Sequence, residues 1–405
     1  MPATNNFVHN LKIEIINCGD NFECASLDAL VSSQNPQHKT KYLQTLASNL
    51  DNNFKWYMSV ATVSGEIVAW TCFFIDKSLA FHGLFSGIMG KLYKFFPVKF
   101  KTAFISSPVA EYNMIHIRDD YKHLESTIAD KIIEETLAFL KKEKLGLVVV
   151  KDHIRPYSSE YFNKKFVHLH FLPGTFIDLE GIRECEHMCS KKCAAADCHC
   201  FDDYLMNLKK KYRANIRNKI NRRKDDLTIE IVSHLSPEEN ARCHELYQQT
   251  RDKQDLKHEC LGPSYFCTCS KELGESCKML VARTGGKIIG FAQLLENDND
   301  VINVRMGMDY NYNKDYNLYY HLLYENITYC IRNKKRRLYT SQTCYRPKLE
   351  MGAKLLPLHS YLHFTNPILH RFLGGIVAKN CKCYSELIQT DSPSEVLARH
   401  NLCNY

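Results

Sequence analysis

The order of predicted elements repeats along the chain, and this repeat constrains the fold more than any single motif. Residues 55–75 (KWYMSVATVSGEIVAWTCFFI) are apolar and β-branched on both sides of a Ser64-Gly65 turn, the pattern of a β-hairpin. KTAFISSP adds a strand. Ile128, Ile132, Thr136 and Phe139 recur at helical spacing within 121–144, and LGLVVV at 145–150 reads as a buried strand directly after that helix. The second half runs in the same order. KMLVART and KIIGFAQLLE flank a Gly285-Gly286 turn, and VINVRMGM follows as a strand. A helix over 316–334, with Leu318, Leu322, Ile327 and Ile331 among its apolar positions, leads to a strand in LYTSQ at 338–342. Hairpin, strand, helix, strand, twice over, predicts two similar mixed α/β domains. Between them VHLHFLPGTFIDL at 167–179 is strand-like, punctuated by Pro173-Gly174.

With 405 residues, two or three domains with buried cores are expected. No apolar run is long enough to span a bilayer. The first residues, MPATNNFVHNLKIEI, lack the basic-then-apolar order of a secretory signal, so a cytoplasmic protein is the expectation. In that setting eighteen cysteines do not form a disulfide framework, and Cys72 and Cys330 read as reduced core residues.

The net charge of +8 is modest, but its distribution is uneven. One basic cluster runs from Lys209 to Lys224, and a second gathers Arg332, Lys334, Lys335, Arg336 and Arg337. Such clusters attract phosphates, nucleic acid or acidic lipid, or else form solvated helix faces. In FDDYLMNLKKKYRANIRNKINRRK, Tyr204, Leu208, Tyr212, Ile216 and Ile220 fall every fourth residue, and Asp202 and Asp203 stand at the N-terminal end. This predicts one helix with an apolar stripe and a basic remainder.

FDDYLMNLKKKYRANIRNKINR resembles the interdomain helix of FemAB-like proteins, within the GNAT-fold acyltransferase superfamily. Residues 305–364 resemble the same family in their succession of strand, short loop, helix and strand, then Lys348 before Gly352, then Ser360-Tyr361-Leu362-His363 as in the branch linked to peptidoglycan biosynthesis. The resemblance spans about residues 140–380. It implies tandem GNAT-like domains, an N-terminal one over 1–180 and a C-terminal one over 202–380, linked by the basic helix, with a Cys/His-rich insertion at 181–201 and a tail at 381–405.

The same resemblance implies transfer of an acyl or aminoacyl group to an amine on a small molecule or peptide. An amine attacks only when neutral, and the developing oxyanion needs a donor. The family offers two donors, acyl-CoA and aminoacyl-tRNA. The turn after Gly307 (MDYNYNKDYN) is free of glycine, so side chains stand where a CoA pyrophosphate would approach, whereas the basic helix suits tRNA. The alternative from another class is a non-catalytic protein of this fold that docks RNA or an acidic partner on that helix.

Lys348 is the leading catalytic candidate, placed by the resemblance to neutralise the donor or the tetrahedral intermediate. Asp309, at a strand end, and Glu325, in an otherwise apolar and aromatic helix, are candidate bases. Arg213 and Arg217, one turn apart, are candidates for a phosphate or carboxylate. Tyr212 lies beside them on the apolar stripe, and His363 is a further substrate-binding candidate. For each of these, ordinary packing or solvation is the competing account. His359 and His363 share i,i+4 spacing, but flanking prolines and the lack of a metalloprotease glutamate argue against a zinc helix there.

The insertion contains CEHMCSKKCAAADCHC. Cys185, Cys189, Cys193, Cys198 and Cys200 could supply thiolates to Zn²⁺, although their spacings differ from paired C-x2-C modules. A loop of reduced cysteines is the plain alternative.

Overall fold

A computed structural model describes residues 10–18, 25–31, 35–50, 54–80, 99–107, 111–112, 115–157, 159–180, 200–253, 260–390 and 393–399. The chain divides into two compact units. The first comprises Met1–Leu172, Asp255–Leu261 and Pro357–Glu386; the second comprises Pro173–Gln254, Gly262–Leu356 and Leu387–Tyr405. The basic segment lies within the second unit, and the stretch after Leu356 rejoins the first.

The strands are β1 (Leu11–Asn17), β2 (Phe54–Val63), β3 (Glu66–Ala80), β4 (Lys99–Ile105), β5 (His116–Ile117), β6 (Leu147–His153), β7 (Val167–His170), β8 (Gly174–Asp178), β9 (Thr228–Val232), β10 (Cys277–Thr284), β11 (Lys287–Glu296), β12 (Asp300–Met308), β13 (Arg337–Tyr339), β14 (Lys354–Leu356) and β15 (His359–Phe364). The first sheet has the order β1-β2-β3-β4-β6-β15-β7, with β5 paired to β3. The second has the order β14-β8-β13-β12-β11-β10-β9.

Read from opposite ends, the two orders match strand for strand. Hairpin β2–β3 turns at Ser64 and Gly65, both with positive φ, and hairpin β10–β11 turns at Gly285 and Gly286, likewise positive. In each unit the next strand pairs with its successor in parallel, β4 with β6 and β12 with β13. Parallel neighbours need a crossover. The helices Glu125–Leu140 and Leu318–Arg332 provide it, as the periodicity predicts. Ile128, Ile132 and Ile133 of the first are fully buried in one core, and Leu318, Leu322 and Ile327 of the second in the other. Each such side chain contributes about 1.5–3 kcal/mol.

Four expectations need adjustment. The first crossover helix is shorter than 121–144, because its flanks are 3-10 turns at Asp119–Leu124 and Lys141–Glu143, and Lys144 is left-handed. VHLHFLPGTFIDL is two strands: β7 joins the first sheet and β8 the second. The strand in LYTSQ ends at Tyr339. The basic segment forms two helices, Cys200–Met206 and Lys210–Ile220. Between them the N–H groups of Asn207 and Leu208 bond to carbonyls three residues back, and Lys209 is extended. Tyr204 donates to the Met351 carbonyl, and Gly352, with φ +92°, leaves the space that Tyr204 and Leu208 fill. Packing on this glycine overrides the fourfold periodicity of the stripe.

Among the described residues, no helix is long and apolar enough to cross a membrane.

Candidate active site

The second sheet opens beside β12. This strand pairs with β13 only through Asp300–Arg337, Val301–Leu338 and Ile302–Tyr339, yet it runs on to Met308. At Thr340 the chain turns away, its N–H donating to the Thr175 carbonyl on β8. From Val304 to Met308 this edge of β12 has no partner strand among the described residues. The Met308 N–H donates to Thr250 Oγ1 at 3.2 Å and the Val304 carbonyl accepts from Arg305 Nη1 at 2.6 Å, so the backbone between these ends is what the edge offers to an extended ligand.

The loop that closes the opening is strained. Ser341, Thr343 and Cys344 all have positive φ, at 62°, 60° and 48°. Non-glycine residues adopt this region at a cost of about 1–2 kcal/mol each. Several bonds hold it. The Ser341 hydroxyl donates to the Asn303 carbonyl at 2.9 Å. The Ser341 carbonyl accepts from Thr175 Oγ1 at 2.5 Å and from Lys348 Nζ at 3.0 Å. Lys348 Nζ also donates to the Gln342 carbonyl at 2.9 Å. Lys348 is 4 % exposed, and its Nζ reaches the strand opening through Ser341, whose carbonyl it bonds and whose hydroxyl bonds Asn303. Asn303, the first β12 residue past the paired stretch, is 5 % exposed and its Oδ1 has no hydrogen-bond partner among the described residues. A buried, unbonded carbonyl oxygen is costly unless a ligand or water satisfies it.

Asp309 follows β12 directly and caps the helix Tyr310–Tyr316, accepting from the Asn311 N–H at 3.1 Å. Arg242 on the helix Pro237–Asp252 bonds it at 2.6 Å, and Lys287 lies 3.7 Å away. Burial pushes the Asp309 carboxyl up, but Arg242, the Asn311 N–H and Lys287 outweigh it and hold the group below its ordinary value. A carboxylate held this way is a weak base, and its position is that of an anchor between strand end and helix start. Glu325 is half-buried on Leu318–Arg332 beside Tyr324, whose hydroxyl burial and Glu325 together push to higher pKa.

The arginine pair is spent locally. Arg213 Nη1 donates to the Met206 carbonyl at 3.1 Å, closing the end of the helix Cys200–Met206. Arg217 Nη2 reaches Asp202 at 3.2 Å. Tyr212 packs at the rim of the second core. His363 belongs to the first unit, where its Nδ1 donates to the Lys165 carbonyl at 2.8 Å. Of the metal candidates, Cys185, Cys189, Cys193 and Cys198 lie outside the described residues, and Cys200 opens the helix Cys200–Met206. Three members of the second basic cluster are committed to structure: Lys335 bonds Glu296, Arg336 bonds Glu180, and Arg337 lies over the Phe176 ring.

No sequence motif marks Asn303, Ser341, Arg242 or Glu350. The last gathers Asn215 and Tyr320, both at 2.9 Å from Oε2, with Lys219 at 3.6 Å and Arg346 on Oε1. Burial lowers the Lys219 pKa, and Glu350 opposes that shift. Asn215 and Lys219 are one helical turn apart, but only the tertiary fold joins them to Tyr320 and Glu350.

The family model described as FemAB-like, peptidoglycan biosynthesis/recognition, matches residues 183–391. Among solved structures, FemX aligns over 89 % of this chain and 100 % of its own, at 10 % identity and TM-score 0.51. L-PGS of Bacillus licheniformis aligns over 88 % of this chain and 97 % of its own, at 10 % identity and TM-score 0.50. A Mycobacterium tuberculosis protein with the provisional name 8-amino-7-oxononanoate synthase 2 is 30 % identical over 134 residues, 32 % of this chain. The matched segment amounts to 17 % of that relative's length.

Proposed function

We propose, from the premise that this chain belongs to the FemAB-like family and folds as two tandem GNAT-like α/β units, that it is an N-acyltransferase whose reaction centre is the opening between β12 and β13. The observation that carries this reading is the parting of those strands after Ile302, beside a buried lysine and an unsatisfied Asn303 oxygen. An acyl donor laid along Val304–Met308 as an extra strand would place its carbonyl among backbone N–H donors. The Lys348 ammonium would stabilise negative charge developing on that carbonyl oxygen. Buried charge acts strongly at short range because little water screens it. Lys348 also neutralises the inward-turned carbonyls of Ser341 and Gln342, so it positions the loop as well as the charge.

The donor favoured by this arrangement is an aminoacyl-tRNA. The Asp309 carboxylate already accepts from the N–H of Asn311 where the chain enters the helix after β12, so that donor is not open to a pyrophosphate. Lys209, Lys210, Lys211 and Arg222 are exposed and suit a polyanion. The acceptor is an amine on a small molecule or peptide, and the family description points to peptidoglycan precursors as the first class to assay.

Purified protein incubated with amine acceptors and either labelled aminoacyl-tRNA or labelled acyl-CoA tests the reading. Transfer is expected, with Lys348→Met reducing it about 100-fold or more while the circular dichroism spectrum is retained. Turnover with neither donor removes the enzymatic reading. Full activity in Lys348→Met and in Asn303→Leu moves the centre away from this opening.

A further inference from the structure

The histidines that the transferase reading leaves unused converge on the first sheet. Strands β7 and β15 are antiparallel neighbours, with His170 opposite His359 and His168 opposite Tyr361. Side chains two apart on a strand share a face, so His168 and His170 project together, and His359 meets them from the facing strand. His168 Nε2 and His359 Nδ1 share a hydrogen bond at 3.0 Å, whose proton a bound ion would displace. One ligand nitrogen from each of the three rings lies within 4.8 Å of the others. Three imidazoles around a tetrahedral metal, each about 2.0–2.1 Å from it, have nitrogens about 3.3 Å apart. Small side-chain rotations separate the present arrangement from that one.

A second observation concerns the tautomer. His170 Nδ1 lies 3.2 Å from the Leu358 carbonyl, which can only accept. Nδ1 therefore carries the proton and Nε2 keeps its lone pair. A backbone carbonyl that orients a histidine in this way is the usual outer support of a metal ligand. We propose that His168, His170 and His359 form a binding site for a zinc-type divalent cation on the first sheet, with a fourth coordination position left to water.

The chemistry of the donors selects the ion. Three nitrogens and no carboxylate suit Zn²⁺ or its first-row neighbours, not Mg²⁺ or Ca²⁺, which take oxygen. The bound ion would also join residues 168 and 359 across the sheet, fastening the returning strand β15 to β7.

The cysteine insertion is the competing ligand source, so the test separates the two. The full chain is prepared with Cys185, Cys189, Cys193, Cys198 and Cys200 all changed to Ser, stripped with chelator, and titrated with Zn²⁺ under equilibrium dialysis. About one equivalent is expected to bind and to raise the melting temperature. His168→Ala and His359→Gln in the same background are expected to weaken that binding more than about 100-fold, beyond the 10–100-fold typical of an outer-shell change. His168 is exposed, so its variant reads the site even where His359→Gln does not fold. Failure of the Cys-to-Ser chain to bind Zn²⁺, or unchanged affinity in His168→Ala, overturns the proposal.

Discussion

His116 occupies a place with no room for charge. It is 3 % exposed, with Trp70 at 4.4 Å and His38 at 4.9 Å between ring centroids. Burial drives its pKa well below 6.5, and His38, His153 and Lys39 add to the effect. Burial lowers His38 to about 4, against an opposing Tyr112 backbone bond, and lowers His153 to about 3, against an opposing Ile105 backbone bond. In the unfolded chain all three titrate near 6.5. Below that pH the unfolded state takes up protons that the folded state refuses. Their contribution to stability is therefore complete above about pH 6.5 and is lost as pH falls toward 4. Each pH unit across this window corresponds to about 1.4 kcal/mol per imidazole. Both tryptophans, Trp56 and Trp70, lie in the first unit, so their fluorescence reports its unfolding. The urea midpoint of that signal is expected to fall steeply between pH 7 and pH 5, and less steeply in His116→Phe, which keeps the ring packing. An identical pH slope in the variant would show that His116 is not part of the acid response.

Hydrophobic pattern and turn chemistry predict both hairpins, both crossover helices and the doubled order of elements, because each of these is set by residues close in sequence. The break at Asn207–Lys209 is not predictable that way, since Tyr204 and Leu208 settle against Gly352, far along the chain. The opening at β12 is equally hidden: a continuous apolar run such as VINVRMGM looks the same whether its neighbour stays or leaves. Two glycines in the second sheet separate local from tertiary demands. A Cβ on Gly307 would stand 2.2 Å from Phe291 Cε1 and 2.9 Å from the Leu246 backbone, so strand β12 and the helix Pro237–Asp252 approach too closely for any side chain. A Cβ on Gly290 would meet Leu322 Cδ1 at 3.4 Å and the Gly307 carbonyl at 3.6 Å, near ordinary contact. Gly307→Ala is expected to destabilise the second unit by about 3 kcal/mol, the upper range for overpacking, whereas Gly290→Ala stays within about 1 kcal/mol. Urea unfolding followed by circular dichroism distinguishes them, and equal midpoints would refute the close-approach account.

Across the whole molecule, each sheet takes one strand from the half of the sequence that builds the other. The first sheet receives β15 between β6 and β7; the second receives β8 between β13 and β14. The exchange is reciprocal: β7 is followed by β8 and β14 by β15, so at both places the chain leaves one sheet and enters the other within a few residues. A linear reading assigns 167–179 and 359–364 to the nearest half, because nothing in their composition marks the change of sheet. The exchange has a consequence for fragments. Within the first unit Tyr361 accepts from the Tyr157 N–H at 2.6 Å, donates to its carbonyl at 3.2 Å, and packs 5.0 Å from the Phe162 ring. A chain of residues 1–180 lacks all of this and leaves the edges of β6 and β7 unpaired, a condition that favours association over folding. Such a fragment is expected to show no cooperative tryptophan transition in urea. A chain in which 357–386 is joined by a flexible linker to 1–172 is expected to recover it, since the missing strand returns between its two neighbours. A cooperative transition in 1–180 with the midpoint of the full chain would mean that β15 is dispensable, and that the first sheet closes without the strand it borrows.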